Sequence, residues 1–356
     1  MAPKLLQPIL PVRILSRGLC FAIQKVRSTM RRQYIDIENT DTLRLKTDTL
    51  QAPAAGEIAI AVDFSGVNRA DILQRLGLYP VPDDASPILG LAVAGLIAAV
   101  GPDVDGFKIG DRVAALVQGG GYATVAIARA DHTLLLPPNI DSRSGAALPE
   151  ALLTVWHNVF TLGALKPEET LLVHGGGSGI GTIAIQMAKA WGARVVATAG
   201  GPEKCTRVRA LGADIVLDYR SDNLIGDFKN AGLGGAIDVT LDMAGGDFTA
   251  LNFELAAPDG RIVCIGVMRG SKSEIELFPL LMKRLTLTGS TLRGLGMEGR
   301  AKGFTNLQKT MIPFVAAKHI EPCIDTVVPL AEATSAHARM QSGEHFGKIL
   351  LDCRQT

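Results

Sequence analysis

One glycine-rich stretch near the middle of the chain limits the possible folds more than any other feature of the sequence. It reads His174-Gly175-Gly176-Gly177-Ser178-Gly179-Ile180-Gly181, and it joins an apolar, strand-like segment ending at His174 to a helical pattern over Thr182–Trp191. Glycines let a backbone turn tightly and approach a ligand closely, and the first N–H groups of a helix attract an anion. The stretch therefore predicts a strand-to-helix loop that holds a dinucleotide pyrophosphate, with an ordinary glycine-rich turn as the alternative.

Five residues of this loop are the predicted contacts: Gly176, Ser178, Gly179, Ile180 and Gly181. The register departs from the common G-x-G-x-x-G pattern, because Ser178 replaces the middle glycine. We expect the Ser178 hydroxyl to lie near the pyrophosphate or the nicotinamide.

Strand-like and helix-like segments alternate after the loop. Buried strands are predicted at Arg194–Thr198, Ile215–Leu217, Ile237–Leu241 and Arg261–Gly266, and repeated βαβ units form a doubly wound parallel sheet. Short strands broken by Gly and Pro precede the loop, which is typical of a β-rich domain. We predict an α/β protein with a β-rich domain at residues 30–152 and 318–356 and a doubly wound domain at 153–317.

The end of the second strand of the doubly wound domain indicates which dinucleotide binds. An acid about 20 residues beyond the loop would hold the ribose hydroxyls of NAD, but no acid occurs from Arg194 to Pro202, and Gly200 lies 19 positions after Gly181. Lys204 and Tyr219 could offer charge and a hydroxyl to a 2′-phosphate, although solvated surface groups are the alternative. The sequence favours NADPH.

Charge and composition argue against several other partners. The formal net charge is +1, so no global basic field attracts nucleic acid or an anionic membrane. No apolar run reaches the roughly 20 residues of a membrane helix. The five cysteines are far apart and form no CxxC pair, which is typical of reduced thiols in a reducing compartment. We expect a soluble, cytoplasmic protein with a small-molecule partner.

The amino-terminal residues 1–29 are rich in arginine and contain no acid, since the first acid is Asp36. This composition resembles a mitochondrial transit peptide. Alternatively the start is set too far upstream, because Met30 directly precedes a strand-like segment at Arg31–Ile37. Under either interpretation we expect residues 1–29 to be disordered, and the first would make the protein mitochondrial.

Further motifs accompany the glycine loop along most of the chain. They are Gly66–Asp71, Gly77–Pro80, Phe107–Val113, Gly119–Ala123, Ala147–Glu150, Gly289–Arg293 and Ser342–Ile349. Together they resemble the medium-chain dehydrogenase/reductase superfamily over about residues 30–353. More narrowly, the chain resembles the zinc-free quinone oxidoreductases of the zeta-crystallin type, on the branch that includes the p53-inducible NADPH quinone oxidoreductase. The resemblance implies a GroES-like β-rich catalytic domain built from both chain ends and a Rossmann doubly wound parallel sheet between them.

The resemblance also implies roles at the nicotinamide end of a cleft. Asn68 and Tyr79 would be catalytic: Asn68 would contact the cofactor and donate an amide hydrogen bond, and Tyr79 would stack on a planar substrate or donate its phenol proton. Thr154 would contact the nicotinamide. Apart from the resemblance, these residues could be a turn asparagine, a packing tyrosine and a packing threonine at a helix start.

Zinc-dependent relatives carry ligands at the positions of Asn68, Leu91 and Ala92, none of which is a typical zinc ligand. We therefore expect no metal. Relatives commonly have an acid at the position of Ala92, so this chain differs from them at the rim of the cleft.

Together with these observations, the resemblance implies hydride transfer from NADPH to a quinone or a similar conjugated carbonyl. Reduction of 2-enoyl thioesters uses the same fold and cofactor and is the alternative, and a non-enzymatic NADPH-binding protein is a third hypothesis. The alternating segment Arg284–Gly289 follows the last of the predicted buried strands and predicts a sheet edge that pairs in a homodimer. The resemblance implies the same interface.

Overall fold

A computed structural model describes residues 29–355 of the chain. The expectations for the amino-terminal extension lie outside these residues, apart from Thr29, which belongs to the first strand and not to the extension. The first part of the described chain is rich in strands, as its short apolar runs predict. It contains β1 (Thr29–Ile37), β2 (Leu43–Gln51), β3 (Glu57–Val67), α1 (Arg69–Arg75), β4 (Ala92–Val100), β5 (Arg112–Leu116), β6 (Val125–Arg129), β7 (Thr133–Leu135) and α2 (Ser142–Ala146).

The central part alternates strands with helices. It contains α3 (Pro149–Val155), β8 (Thr170–Val173), α4 (Gly179–Ala190), β9 (Arg194–Ala199), α5 (Pro202–Ala210), β10 (Ile215–Asp218), α6 (Leu224–Asn230), β11 (Ile237–Asp242), α7 (Asp247–Leu255), β12 (Ala256–Cys264), α8 (Phe278–Lys283), β13 (Thr286–Gly289), α9 (Gly296–Thr310) and α10 (Ile312–Ala316). The six strands form a parallel sheet in the order β10-β9-β8-β11-β12-β13. The strand order reverses between β8 and β11, and ligands of doubly wound sheets bind at such a reversal.

The last part of the described chain returns to the first sheet with β14 (Ile324–Pro329), α11 (Ala333–Gln341) and β15 (Lys348–Asp352). Strand β15 pairs antiparallel with β3, and the seven-stranded sheet has the order β14-β15-β3-β4-β5-β7, with β6 paired to β3. Strands from the first and the last parts of the described chain thus build one sheet, while β1 and β2 form a separate two-stranded sheet. The predicted fold class, a GroES-like sheet domain plus a Rossmann sheet, is confirmed. The boundaries proposed at residues 152 and 318 stay a prediction.

Two apolar cores hold the site: one lies within the seven-stranded sheet, and the other joins that sheet to the parallel sheet. Ile58 and Ile60 of β3 are fully buried in the seven-stranded sheet, and Leu171 and Val173 of β8 are fully buried beneath α4 in the parallel sheet. Full burial of such a side chain stabilises the fold by roughly 1.5 to 3 kcal/mol. The two cores therefore hold the β3–α1 junction and the β8–α4 loop in fixed positions, and these two junctions carry the candidate site.

Candidate active site

The glycine loop has the geometry that its sequence predicts, and it explains the serine within the pattern. The Oγ atom of Ser178 accepts a hydrogen bond from the N–H of Gly181 at 2.9 Å and caps the start of α4. A serine cap satisfies an N–H group that a helix start otherwise leaves unpaired. A Cβ atom on Gly181 would lie 2.3 Å from the carbonyl oxygen of Gly175, so this position requires glycine while the position of Ser178 does not.

A small cavity of about 120 Å³ opens beside this loop, and we call it the cofactor pocket. Its lining combines the loop with the ends of β9 and β10 and with the segment before β15. The lining residues are Gly175, Gly177, Ser178, Ala199, Gly200, Lys204, Tyr219, Gly343 and His345. Four of the predicted cofactor residues, from three separate segments, are therefore brought together.

The remaining loop residues lie beside this group. A Cβ atom on Gly176 would lie 3.1 Å from the Ala197 side chain, so Gly176 allows α4 to pack closely on the sheet. Gly179 and Ile180 form the first turn of α4, where N–H groups have no partner within the helix. The pocket thus adjoins the helix start that attracts an anion.

Positive charge gathers at the end of the pocket nearest β9. Lys204 donates from Nζ to the carbonyl oxygens of Gly343 at 2.7 Å and His345 at 2.9 Å, which leaves a third N–H donor. Burial, followed by repulsion from Arg220, lowers the pKa of Lys204. A Cβ atom on Gly200 would lie 2.4 Å from the Tyr219 hydroxyl. This close approach and the free lysine donor fit the ribose phosphate of a dinucleotide.

A segment outside the predicted site residues covers this pocket, and it lies within the motif Ser342–Ile349. We call residues 342–347 the strap. The N–H of Gly347 donates to the carbonyl oxygen of Gly177 at 2.8 Å, which attaches the strap to the glycine loop. The buried Nδ1 atom of His345 has no hydrogen-bond partner among the described residues, and burial lowers the pKa of this histidine. His345 therefore adds a free polar atom next to Lys204.

Asn68 lies where β3 passes into α1, and it is buried. Its backbone N–H donates to Asp71 Oδ2 at 2.8 Å, and its Nδ2 donates to the carbonyl oxygen of Gly66 at 3.1 Å. Its Oδ1 accepts a hydrogen bond from Nζ of Lys348. The Asn68 amide is thus fixed at a junction between the two sheets, and its contact with Lys348 was not foreseen.

Tyr79 is half-buried in the loop after α1, and Arg293 holds it there. The guanidinium carbon of Arg293 lies 4.0 Å from the centre of the Tyr79 ring, within cation–π distance. Arg293 also donates to the Tyr79 carbonyl oxygen at 3.1 Å and to Gln74 Oε1 at 2.6 Å. One face of the ring is therefore covered by a residue from beyond β13, and a planar substrate could stack only on the other face.

Thr154 is buried in α3, and its carbonyl oxygen accepts a hydrogen bond from Asn158 Nδ2 at 2.8 Å. Asn158 in turn accepts a bond from Ser290 at 2.8 Å, which ties this helix to the motif that contains Arg293. The contact of Thr154 with a nicotinamide stays a prediction.

The described residues 29–355 contain no group of three or more His, Cys, Asp or Glu side chains arranged to hold a metal ion. Asn68, which the resemblance places at a zinc-ligand position, faces the ammonium of Lys348, and a cation so close disfavours a second one. Within the same residues, no helix has the length and apolar character needed to cross a membrane.

The fold and the site together define an oxidoreductase of the medium-chain type. Two family models match: the alcohol dehydrogenase GroES-like domain over residues 54–138 and the zinc-binding dehydrogenase over residues 179–310. Quinone oxidoreductase from Sus scrofa is 31% identical over 333 residues, which cover 92% of this chain and 98% of that protein. The chain belongs to the medium-chain dehydrogenase/reductase superfamily, which has quinone oxidoreductase-like members, so the resemblance read from the sequence is confirmed.

Two further relatives show how widely this unit is used. The solved structure of Escherichia coli quinone oxidoreductase complexed with NADPH is 29% identical with a TM-score of 0.79, and the match covers 91% of this chain and 99% of that one. Phthioceranic/hydroxyphthioceranic acid synthase from Mycobacterium tuberculosis is 32% identical over 331 residues. The match covers 93% of this chain but only 16% of the synthase, so this chain spans a small part of that relative.

Proposed function

We propose that this oxidoreductase is an NADPH-dependent quinone reductase that works without a metal. The observation that carries the proposal is the cofactor pocket, in which an acid-free end of β9 meets Lys204 and Tyr219 beside the glycine loop. An acid there would hold the ribose hydroxyls of NAD and repel a phosphate, whereas a lysine and a phenol attract one. The nearly full-length likeness to a quinone oxidoreductase supports the substrate class.

NADPH, when bound, supplies the hydride. The first N–H groups of α4 would bind the pyrophosphate, and the free donor of Lys204 and the hydroxyl of Tyr219 would bind the 2′-phosphate. Gly200 leaves the space that these groups need, because a side chain there would collide with Tyr219. The strap residue His345 would close the same end of the pocket.

A planar quinone would stack on the ring face of Tyr79 that Arg293 leaves open. The Tyr79 hydroxyl and the second amide hydrogen of Asn68 would donate to the quinone oxygen that gains charge as the hydride arrives. Fixed donors stabilise a developing oxyanion because they need no reorganisation during the reaction. No nucleophile or metal ligand is required for this chemistry.

Steady-state oxidation of NADPH with a panel of quinones and 2-enoyl-CoA thioesters tests the proposal. We expect turnover with quinones and a much lower kcat/KM with NADH. Preference for the enoyl thioesters would favour the alternative reductase, and absence of turnover with every acceptor would favour a non-enzymatic NADPH-binding protein. Dialysis against a chelator should leave the rate unchanged, and a zinc ion required for activity would contradict the metal-free mechanism.

A further inference from the structure

A lysine with no role in the mechanism above is buried where the two sheets meet. Lys348, the first residue of β15, is only 4% exposed. Its ammonium donates to Oδ1 of Asn68 and to Oε2 of Glu150 at 3.2 Å. Burying a charged ammonium is costly unless it is paired and hydrogen-bonded, and both conditions are met here by residues from two other segments of the chain.

The ammonium and the carbonyl oxygen of Gly66 together determine how the Asn68 amide is oriented. A lysine ammonium only donates hydrogen bonds, so the carbonyl oxygen of the Asn68 amide must face it. The amide nitrogen then faces away and gives one hydrogen to the carbonyl oxygen of Gly66. The second hydrogen remains as a donor. Without the lysine, the carbonyl oxygen of Gly66 alone would hold this orientation, and the amide would be less firmly fixed as a donor.

The aliphatic part of the Lys348 side chain packs against the end of the glycine loop. A Cβ atom on Gly179 would lie 2.3 Å from Cδ of Lys348, so the stem rests directly on the first residue of α4. The preceding residue, Gly347, donates to the carbonyl oxygen of Gly177. Lys348 thus contacts both Asn68 and the start of the helix that would bind the pyrophosphate.

We propose that Lys348 is a positioning residue for hydride transfer. Anchored by Glu150, its ammonium holds the Asn68 amide as a hydrogen-bond donor to the substrate oxygen that gains charge. The inference rests on the proposed function, because it needs Asn68 to act in that reaction. It adds a residue that does not itself touch the substrate and that is 280 positions away from Asn68 in the chain.

The substitution Lys348→Met tests this role, because methionine keeps an unbranched stem against Gly179 and removes the ammonium. We expect kcat for quinone reduction to fall about tenfold while the Kd for NADPH, measured by fluorescence titration, changes less than about twofold. An unchanged Kd also reports an intact fold. The matched control is Lys189→Met. Lys189 lies near the carboxyl end of α4, and its Nζ atom pairs with Asp214 at 2.9 Å. We expect this variant to have the same kcat and Kd as the unmodified protein.

A second variant distinguishes positioning from general stability. Glutamine in Lys348→Gln keeps an uncharged N–H donor, so it should recover part of the kcat lost in Lys348→Met. Equal kcat values for Lys348→Met and the unmodified protein would overturn the inference, as would a loss in which only NADPH binding weakens.

A double-mutant cycle separates this inference from the proposed function. If Lys348 acts through Asn68, Lys348→Met should not lower kcat further in an Asn68→Ala background. Losses that multiply would overturn the positioning role while leaving the catalytic role of Asn68 in place. Full activity of Asn68→Ala alone would instead contradict the proposed function of Asn68, and the inference would fail with it.

Discussion

Lys204 donates two hydrogen bonds to the strap, and we propose that its third donor binds the 2′-phosphate. Its contacts with the Gly343 and His345 carbonyl oxygens are lost in Lys204→Ala whichever dinucleotide binds, so only the difference between cofactors reports the phosphate contact. A charge-assisted bond contributes about 1.5 to 3 kcal/mol, so we expect the KM for NADPH to rise more than about tenfold relative to that for NADH. Steady-state kinetics with both cofactors would check this, with Lys189→Ala as the control. Equal losses for NADPH and NADH would contradict it.

Tyr79 has two proposed roles that two substitutions can separate. Tyr79→Phe keeps the ring that stacks beneath Arg293 and removes only the hydroxyl. We therefore expect an unchanged quinone KM and a kcat lowered about tenfold. The loss is no larger because Asn68 also donates to the oxyanion and because water can protonate a hydroquinone anion. Tyr79→Ala also removes the stacking surface and should raise the quinone KM. Kinetics with a saturating NADPH concentration measure both values. If Tyr79→Ala kept the original kcat and KM, while NADPH affinity stayed unchanged, Tyr79 would be a packing residue only.

The sequence predicts those site residues that belong to a local pattern and misses those that depend on long-range packing. The glycine loop and the acid-free end of β9 are local, so Ser178, Gly200 and Lys204 could be named and are found around one pocket. The contacts of Arg293 with Tyr79 and of Lys348 with Asn68 join segments more than 200 positions apart. No spacing or periodicity encodes such a pair, and a lone lysine or arginine is usually a surface group.

At the scale of elements, burial on both faces decides which strands could be predicted. Strands β8 and β9 lie inside the parallel sheet and therefore appear as nearly continuous apolar runs. The second strand, Leu43–Gln51, was not predicted, because most of its residues are polar and exposed. Helix α4 begins at Gly179, three residues before the predicted start. Glycine is a poor helix former, and here packing of the loop against Lys348 and Ser178 capping offset that preference.

Helix α11 carries a buried histidine that should make the fold sensitive to acid. His337 is fully buried, with Nε2 3.0 Å from the Tyr122 hydroxyl, and burial, followed by repulsion from Arg75, lowers its pKa from 6.5 to about 3. Between these pH values the unfolded chain binds a proton that the folded chain does not, so the contribution of His337 to stability is lost as pH falls below 6.5.

His337→Gln removes this proton uptake and tests the expectation. The stability difference between the unmodified protein and the variant should shrink on acidification, by at most about 1.4 kcal/mol per pH unit. Burial raises the pKa of Asp71 to about 6, so Asp71 acts in the opposite direction, but it is present in both proteins and largely cancels in the difference. Urea unfolding at about pH 7, 6 and 5 measures the free energies. Parallel pH profiles for the two proteins would contradict the assignment.

At the scale of the whole molecule, one edge of the parallel sheet carries an exposed apolar surface. Among the strands of residues 29–355, β13 lies at the end of the strand order and pairs with β12 alone, as the alternating segment Arg284–Gly289 predicts for an edge. The helix before it exposes large apolar side chains, among them Phe278 at 68%, Leu281 at 72% and Met282 at 63%. An unpaired strand next to such a surface favours association with a second molecule.

We therefore expect a homodimer that pairs this edge with its symmetry mate. A two-fold axis through β13 would join two parallel sheets and bring the helices that contain Leu281 over the junction, which completes the hydrogen bonds of the edge and buries the apolar side chains together. Sedimentation equilibrium should give a mass of two chains of 37.6 kDa each.

Leu281→Asp combined with Leu287→Asp places charges in that surface and should shift the mass toward a single chain, because an unpaired buried charge is costly. Ile109→Asp is the matched control, since Ile109 is 69% exposed but precedes β5 in the other sheet, and its mass should not change. A single-chain mass for the unmodified protein, or dimers that survive the double substitution, would show that this edge does not pair.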